Sequence, residues 1–510
     1  MKNNRWHILL LASFLIGCTA FMGAQNLASF EKRITVKTLD NGLTVIVCER
    51  SEAPVFSFFT HVDVGSDREV PGITGLAHMF EHMAFKGTDK IGTNDYADEK
   101  GALENVERAY QAYDQERRRE VGRDDKKLAE LDKAWKDAMT LAQKYVVENQ
   151  FGEIVEQNGG RGLNAFTTNE ETGYHYSFPS NQVELWAYLE SERFLHPVFR
   201  EFYKEREVVH EERRLGESNP FERLFEQFMA TAYVAHPYGQ PVVGWPSDLE
   251  SFSMTDAQAY YKKYYVPASM IVTLVGDVKA DEVMPVIEKY FGRLPTGPKP
   301  EPLRTVEPPQ NAERIVLIHE TTQPIFIEGY HKPSARDKDD AVYAAVQDLM
   351  SNGRTSRLYR SLVRDKKIAA QTGGFNGFPG NKYPNMFVFY AISTPGHTPD
   401  ENRDAVHAEI ERLKNEDITD EELQMVKTRA KADLLRQLGD NEGLAYQLGF
   451  AQSLHGDWRE IFRHVDEIEK VSKADIRRVA NATFVESNRT VAMIESTQLA
   501  TAPAAGKEPK

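Results

Sequence analysis

The chain repeats itself, and any fold it adopts must accommodate that. Phe252-Ser-Met-Thr-Asp-Ala aligns with Val471-Ser-Lys-Ala-Asp-Ile. Tyr265-Val-Pro-Ala-Ser-Met-Ile-Val-Thr-Leu-Val-Gly-Asp277 then aligns with Phe484-Val-Glu-Ser-Asn-Arg-Thr-Val-Ala-Met-Ile-Glu-Ser496 without a gap. Earlier, Pro54-Val-Phe-Ser-Phe-Phe59 resembles Pro324-Ile-Phe-Ile-Glu-Gly329. Pro54 and Phe252 are 198 positions apart, whereas Pro324 and Val471 are 147 apart. The surplus is the size of a polar, charged stretch from about Asn94 to Gln150, whose apolar residues recur at helical spacing. At 510 residues the chain also exceeds what a single core supports. The expectation is an α+β protein of two duplicated α/β-sandwich halves, with a helical hairpin inserted in the first.

Local signals place the boundaries. Residues 1–25 combine Lys2 and Arg5 with an apolar run from Ile8 to Gly17, which reads as an export signal too short to span a bilayer. Leu15-Ile16-Gly17-Cys18 resembles a lipobox, which would make Cys18 a lipidation site; cleavage near Ala24 is the alternative. The first half is expected over residues 30–290 and opens with a hairpin around Asp40-Asn41-Gly42. A linker follows over 291–304, centred on Pro295-Thr-Gly-Pro-Lys-Pro-Glu-Pro302. The second half runs over 305–496, and 497–510 reads as a disordered tail. The formal net charge of -15, with no basic stripe, argues against a nucleic-acid partner. Cys48 lies in a β-rich run and reads as a small buried hydrophobe.

Chemistry concentrates in Gly75-Leu-Ala-His-Met-Phe-Glu-His-Met-Ala-Phe-Lys-Gly-Thr88. On a helix, His78 and His82 share one face and Glu81 stays beside them. Two imidazoles so placed suit one zinc ion, and the neighbouring carboxylate suits a general base. The bland alternative is a pair of surface histidines with a salt-bridging Glu. The corresponding second-half helix, Asp340 to Met350, carries neither histidine, which suggests that one half does the chemistry and the other shapes or closes the site.

Zinc needs at least three protein ligands. In Lys204-Glu-Arg-Glu-Val-Val-His-Glu-Glu-Arg-Arg214, Glu205, Val208, Val209 and Glu212 share a helix face. Carboxylates among valines on a core-facing stripe need a partner. Glu212 is the expected third ligand and Glu205 a supporting carboxylate. Glu207, Glu211 and Arg213 are expected to be solvated, and His210 to be structural.

These blocks, with Leu163-Asn-Ala-Phe-Thr167, resemble the pitrilysin/insulinase-type zinc peptidases, most closely the bacterial and mitochondrial-processing-peptidase-like members. The resemblance spans roughly residues 30 to 495. It implies halves facing a peptide chamber, with His78, His82 and Glu212 holding one Zn2+ per chain, Glu81 as base and Glu205 in support. Ala370 stands where the family often carries Tyr, so no second-half aromatic is carried over. The expected reaction is endoproteolysis of peptides or unfolded polypeptides. The strand through Asn164 and Ala165 would bind an extended substrate by strand addition. The alternative is a non-catalytic or peptide-binding subunit of a two-component protease. A homodimer or a related second subunit stays open, and membrane contact is expected only through a lipid on Cys18. The expected location is outside the cytoplasm, in a bacterial periplasm or at the outer membrane.

Overall fold

The computed structural model describes residues 30–497, so the export signal, Cys18 and the tail beyond Thr497 lie outside the described residues. The strands, in order, are β1 (Ile34–Thr38), β2 (Thr44–Glu49), β3 (Val55–Val62), β4 (Arg161–Thr167), β5 (Thr172–Pro179), β6 (Met270–Gly276), β7 (Arg314–Glu320), β8 (Ile325–Lys332), β9 (Ala369–Phe378), β10 (Asn385–Ser393) and β11 (Arg489–Ser496). The first-half helices are α1 (Leu76–Met83), α2 (Tyr96–Arg117), α3 (Asp125–Ala142), α4 (Gln150–Gln157), α5 (Val183–Leu195), α6 (Phe202–Ser218), α7 (Pro220–Ala232), α8 (Pro246–Leu249), α9 (Met254–Tyr264) and α10 (Ala280–Phe291). Those that follow are α11 (Asp340–Ser351), α12 (Pro399–Asn415), α13 (Asp420–Gln437), α14 (Asn441–His455), α15 (Glu460–Lys470) and α16 (Lys473–Thr483).

The duplication is visible in the sheets. The first has the order β1-β2-β6-β3-β5-β4 and the second β7-β11-β8-β10-β9. In both, one pair is parallel (β2 with β6, β7 with β11) and the remaining pairs are antiparallel. The first sheet therefore carries one extra edge strand, β1, supplied by the Asn-Gly hairpin. Central β3 is buried along nearly its whole length because both of its faces are covered. Phe56 and Phe58 enter the main core with Trp186 and Leu189, while Phe59 turns to the other face.

That other face is covered by a helix from the opposite half. Leu444, Ala445 and Leu448 of α14 pack with Ile46, Cys48, Phe59 and Val275 of the first sheet. Reciprocally, Leu224, Phe228 and Ala232 of α7 pack with Ile325, Ile327 and Ile494 of the second. The spacing that separates Phe252 from Val471 also carries α6 and α7 onto α13 and α14. Two copies of one unit have thus exchanged equivalent helices, and neither sheet is fully buried without its partner. Cys48 sits in this interface as a buried apolar residue, as expected from its β-rich run.

The hairpin α2–α3 packs into the first half. Val106, Tyr110 and Trp135 enter the first core, and Tyr110 and Trp135 pack against Tyr203 of α6 with ring centroids 4.3 and 5.3 Å away. Tyr203 donates its hydroxyl to Glu107 of α2 at 2.6 Å. Arg206 of α6 donates to the Tyr110 hydroxyl and the Phe252 carbonyl at 2.8 and 2.9 Å.

A polar pin joins the halves on the α7 side. Lys382, from the β9–β10 loop, is buried and pairs with Asp63 of the first half. The Glu170 carboxylate accepts the backbone N–H of Asn381 and Lys382 at 2.9 and 2.7 Å, and the hydroxyl of Tyr238. Nearby, the buried Asp67 carboxylate accepts no hydrogen bond from the described residues and faces Arg68 at 3.4 Å. Burial pushes its carboxyl up to about 7. A folded-state value above the unfolded one means that the native state holds a proton the unfolded chain has released. Wild-type stability from this group is therefore lost as pH rises from about 4 to about 7. Asp67→Asn is expected to remove that slope. The stability difference between variant and wild type should move in the variant's favour by about 1.4 kcal/mol per pH unit over that window. Denaturant unfolding of both proteins at several pH values measures it, and a pH-independent difference refutes the assignment.

Candidate metal centre

Helix α1 is short, so its position depends on what fixes its ends. Gly75 precedes it at φ 92°, and a Cβ there would lie 2.6 Å from the Val243 carbonyl oxygen. Only glycine fits that approach without strain. The buried Glu69 carboxylate accepts the N–H groups of Gly75 and Ala77 at 2.8 and 2.7 Å, capping the positive end of the helix. Burial still pushes this carboxyl up to about 8. Leu76, Met79 and Phe80 anchor the opposite face in the core. Past the other end, the buried Arg200 donates to the carbonyls of Lys86, Thr88 and Ile91 at 2.6, 2.8 and 2.9 Å. The same guanidinium pairs with Glu99 of α2 at 2.7 Å, tying the inserted hairpin to the motif.

Helix α6 packs on α1 and presents its carboxylates to the histidines. His78 Nε2 lies 3.7 Å from Glu212 Oε1, and His82 Nε2 lies 3.6 Å from Glu212 Oε2. One donor atom from each of His78, His82 and Glu212 falls within 4.8 Å of the other two, the one such group among the described residues. Tetrahedral zinc with bonds of about 2.0–2.2 Å sets its ligand atoms roughly 3.4 Å apart, so the donor set and spacing fit that ion. With three protein donors, the fourth position is left for water or substrate. Glu81 sits alongside, its Oε2 4.0 Å from His78 Nε2.

The electrostatics favour a cation at this point. Burial holds His78 down to about 4, a neutral imidazole. Burial opposes charge on His82 too, but hydrogen bonds to Glu205 and Glu212 outweigh it and lift the group to about 9. His82 Nδ1 lies 3.5 Å from Glu205 Oε2, which leaves Nε2 for the centre. Burial works against ionised Glu205, yet His82 and Lys86 hold its carboxyl below the usual range. Lys86 pairs with Glu205 and reaches Glu201 at 3.1 Å. Burial raises the Glu81 carboxyl above its ordinary value.

The structure brings His78, Glu81, His82, Glu205 and Glu212 together. Asn164 and Ala165 lie on β4, the edge strand of the first sheet, which packs against α1. Asn164 is exposed and Ala165 buried. Two expectations for α6 need correction. Val208 is 45% exposed and only Val209 is in the core, so the carboxylates border a cleft and not a buried stripe. Arg213 is buried and pairs with Glu217, four residues on in the same helix at 3.2 Å, and with Glu226 of α7; the Glu226 contact lies beyond the reach of local spacing. Glu69, Lys86 and Arg200 also went unassigned in the sequence. Lys86 lies inside the motif block, whereas Glu69 and Arg200 act through contacts that only the tertiary fold creates.

The chain is similar to known proteins over most of its length. Residues 45–116 and 137–245 match the family described as "Insulinase (Peptidase family M16)", and residues 251–430 match "Peptidase M16 inactive domain". The zinc protease PqqE of Helicobacter pylori is 27% identical over 95% of this chain and 97% of its own length. The crystal structure of a protease from Helicobacter pylori superposes with a TM-score of 0.75 at 25% identity, covering 91% of this chain and 99% of that one. The periplasmic protease PqqL of Escherichia coli gives a TM-score of 0.69 at 17% identity, covering 93% of this chain and 49% of that one.

If Glu205 orients His82, Glu205→Gln should weaken zinc binding about 10- to 100-fold while the protein stays folded. Competition against a chromogenic chelator measures this, and an affinity within twofold of wild type refutes the role.

Proposed function

Because this chain belongs to the M16, insulinase-type peptidase family, we propose that it is a zinc-dependent endopeptidase acting on peptides and unfolded polypeptides. The observation that carries the reading is the convergence of His78, His82 and Glu212 donor atoms beside Glu81. These three side chains would hold one zinc ion per chain. Bound there, zinc supplies Lewis acidity that polarises a peptide carbonyl and makes water more acidic.

The chain's own groups do the rest. Glu81 takes the proton from the attacking water and delivers it to the leaving amine nitrogen. Its raised pKa suits a group that must both accept and return a proton. Glu205 fixes the His82 ring through Nδ1, and Lys86 keeps Glu205 ionised. The outer edge of β4, with Asn164 and Ala165, offers backbone N–H and C=O groups to an extended substrate. Such binding demands little of the substrate's sequence and requires it to be unfolded locally. The reading of a purely peptide-binding subunit finds no support in a cluster whose donors and base are all present.

For location, we infer an exported protein held in the periplasm or, through lipid on Cys18, at the outer membrane. Its support is the N-terminal sequence, together with the structural likeness to a protease described as periplasmic. Among the described residues, no helix is long and apolar enough to cross a membrane.

Glu81→Gln should keep zinc near one equivalent per chain and lower cleavage of an unstructured peptide by at least about 10³-fold, removing general acid–base catalysis and with it proton delivery to the leaving group. A chelator should abolish wild-type cleavage and added zinc restore it. Wild-type rates in the zinc-loaded variant would overturn the mechanism.

A further inference from the structure

Beside Glu212 a cavity of about 620 Å³ opens between the two halves. Its near wall follows α6 and α7 through Leu215, Phe225 and Met229. Its far wall is Phe378 and Pro379, at the end of β9 in the second half. The Phe225 and Phe378 rings meet edge to face at 5.1 Å and 70°. Phe221 stacks on Phe225 at 6.0 Å and 13°, so the aromatic wall that Phe225 and Phe378 form is braced before any ligand arrives.

The charged groups around this wall are unequal. Arg213 is consumed by Glu226 and Glu217, and Arg223 donates to Glu320 at 2.6 Å. Glu222 has no ion-pair partner among the described residues, and it leaves the rim acidic. A side chain entering here meets apolar rings below and negative charge at the mouth. Large uncharged groups gain from the rings; a carboxylate is repelled.

The second-half wall is also held in place. Asn381 and Lys382, just beyond Pro379, are clamped by Glu170, and the Tyr238 hydroxyl donates to the same carboxylate. Tyr238 itself lines the cavity, so the clamp and the pocket are one construction. Lys382, paired with Asp63, fixes the loop to the first half.

We propose that this cavity is the subsite for a large aromatic or aliphatic substrate side chain next to the scissile bond, with Phe378 of the metal-free half as its specificity-determining residue. The proposal rests on the peptidase reading and adds to it a side-chain preference and a second-half contributor. It also gives a reason for the duplicated half to persist without metal-binding residues: it supplies a wall that the first half lacks.

The test uses full-length Glu81→Gln protein loaded with zinc, so that binding is read without turnover. A fluorescein-labelled extended peptide carries Phe at one position, moved stepwise along an otherwise Ala-rich sequence, and dissociation constants are read by anisotropy. At one position Phe should bind more tightly than Ala, and Asp there more weakly. Adding Phe378→Ala should cut the Phe-over-Ala preference about tenfold, the order expected when a pocket loses one apolar wall. Phe378→Trp, which fills the space, should shift the preference to Val. Zinc near one equivalent in each variant shows that it has folded. A Phe preference surviving both substitutions within twofold overturns the subsite and leaves the peptidase reading intact. A parent protein that binds none of the peptides overturns both.

Discussion

Everything chemical in this molecule depends on the contact between α1 and α6. One helix brings His78, Glu81 and His82, and the other sets Glu212 against both imidazoles and Glu205 against His82. Neither helix alone holds a complete set. A shift of about 1 Å between them would spoil donor spacings matched to a small ion. The surrounding structure guards against that shift. Glu69 and Gly75 seat the start of α1, Arg200 ties the segment after it to α2, and Tyr110, Trp135 and Arg206 brace α6.

The second half shows what the same scaffold does without metal-binding residues. Its sheet keeps the pairing pattern of the first, and α11 and α13 stand where α1 and α6 stand. Between them the ion pair of Asp348 with Arg429, at 3.3 Å, links the two helices directly. A pair of opposite charges needs no exogenous ion to be satisfied, so this half can be stable without one. The exchange of α7 and α14 then makes the halves interdependent, since each covers a sheet face that would otherwise be exposed. In this arrangement β4 remains an edge strand of the first sheet.

Much of this was legible in the sequence where physical signals are local. The Asn41-Gly42 hairpin, the β-rich runs and the helical spacing of His78, Glu81 and His82 act within a few residues, and each forms as read. The duplication was legible because two stretches repeat without a gap. Glu205 and Glu212 could be picked out because a carboxylate on an apolar stripe demands a partner, although Val208 proved to face solvent. What stayed hidden depends on contacts between distant parts of the chain. Arg213 reads as one more charge in a charged run until Glu226 of the next helix is placed against it. The exchange of α7 and α14 has no local signature, because an amphipathic helix looks the same whichever sheet it covers. Phe378 and Lys382 gain meaning only from Phe225, Asp63 and Glu170 across the interface.

The central claim is that one zinc ion joins α1 to α6. Anomalous diffraction from crystals of the zinc-loaded protein, collected on either side of the zinc absorption edge, tests it most directly. The account predicts one strong peak per chain, bounded by His78 Nε2, His82 Nε2 and the Glu212 carboxylate, with none between α11 and α13. No peak at that position, or a peak coordinated without Glu212, would contradict it.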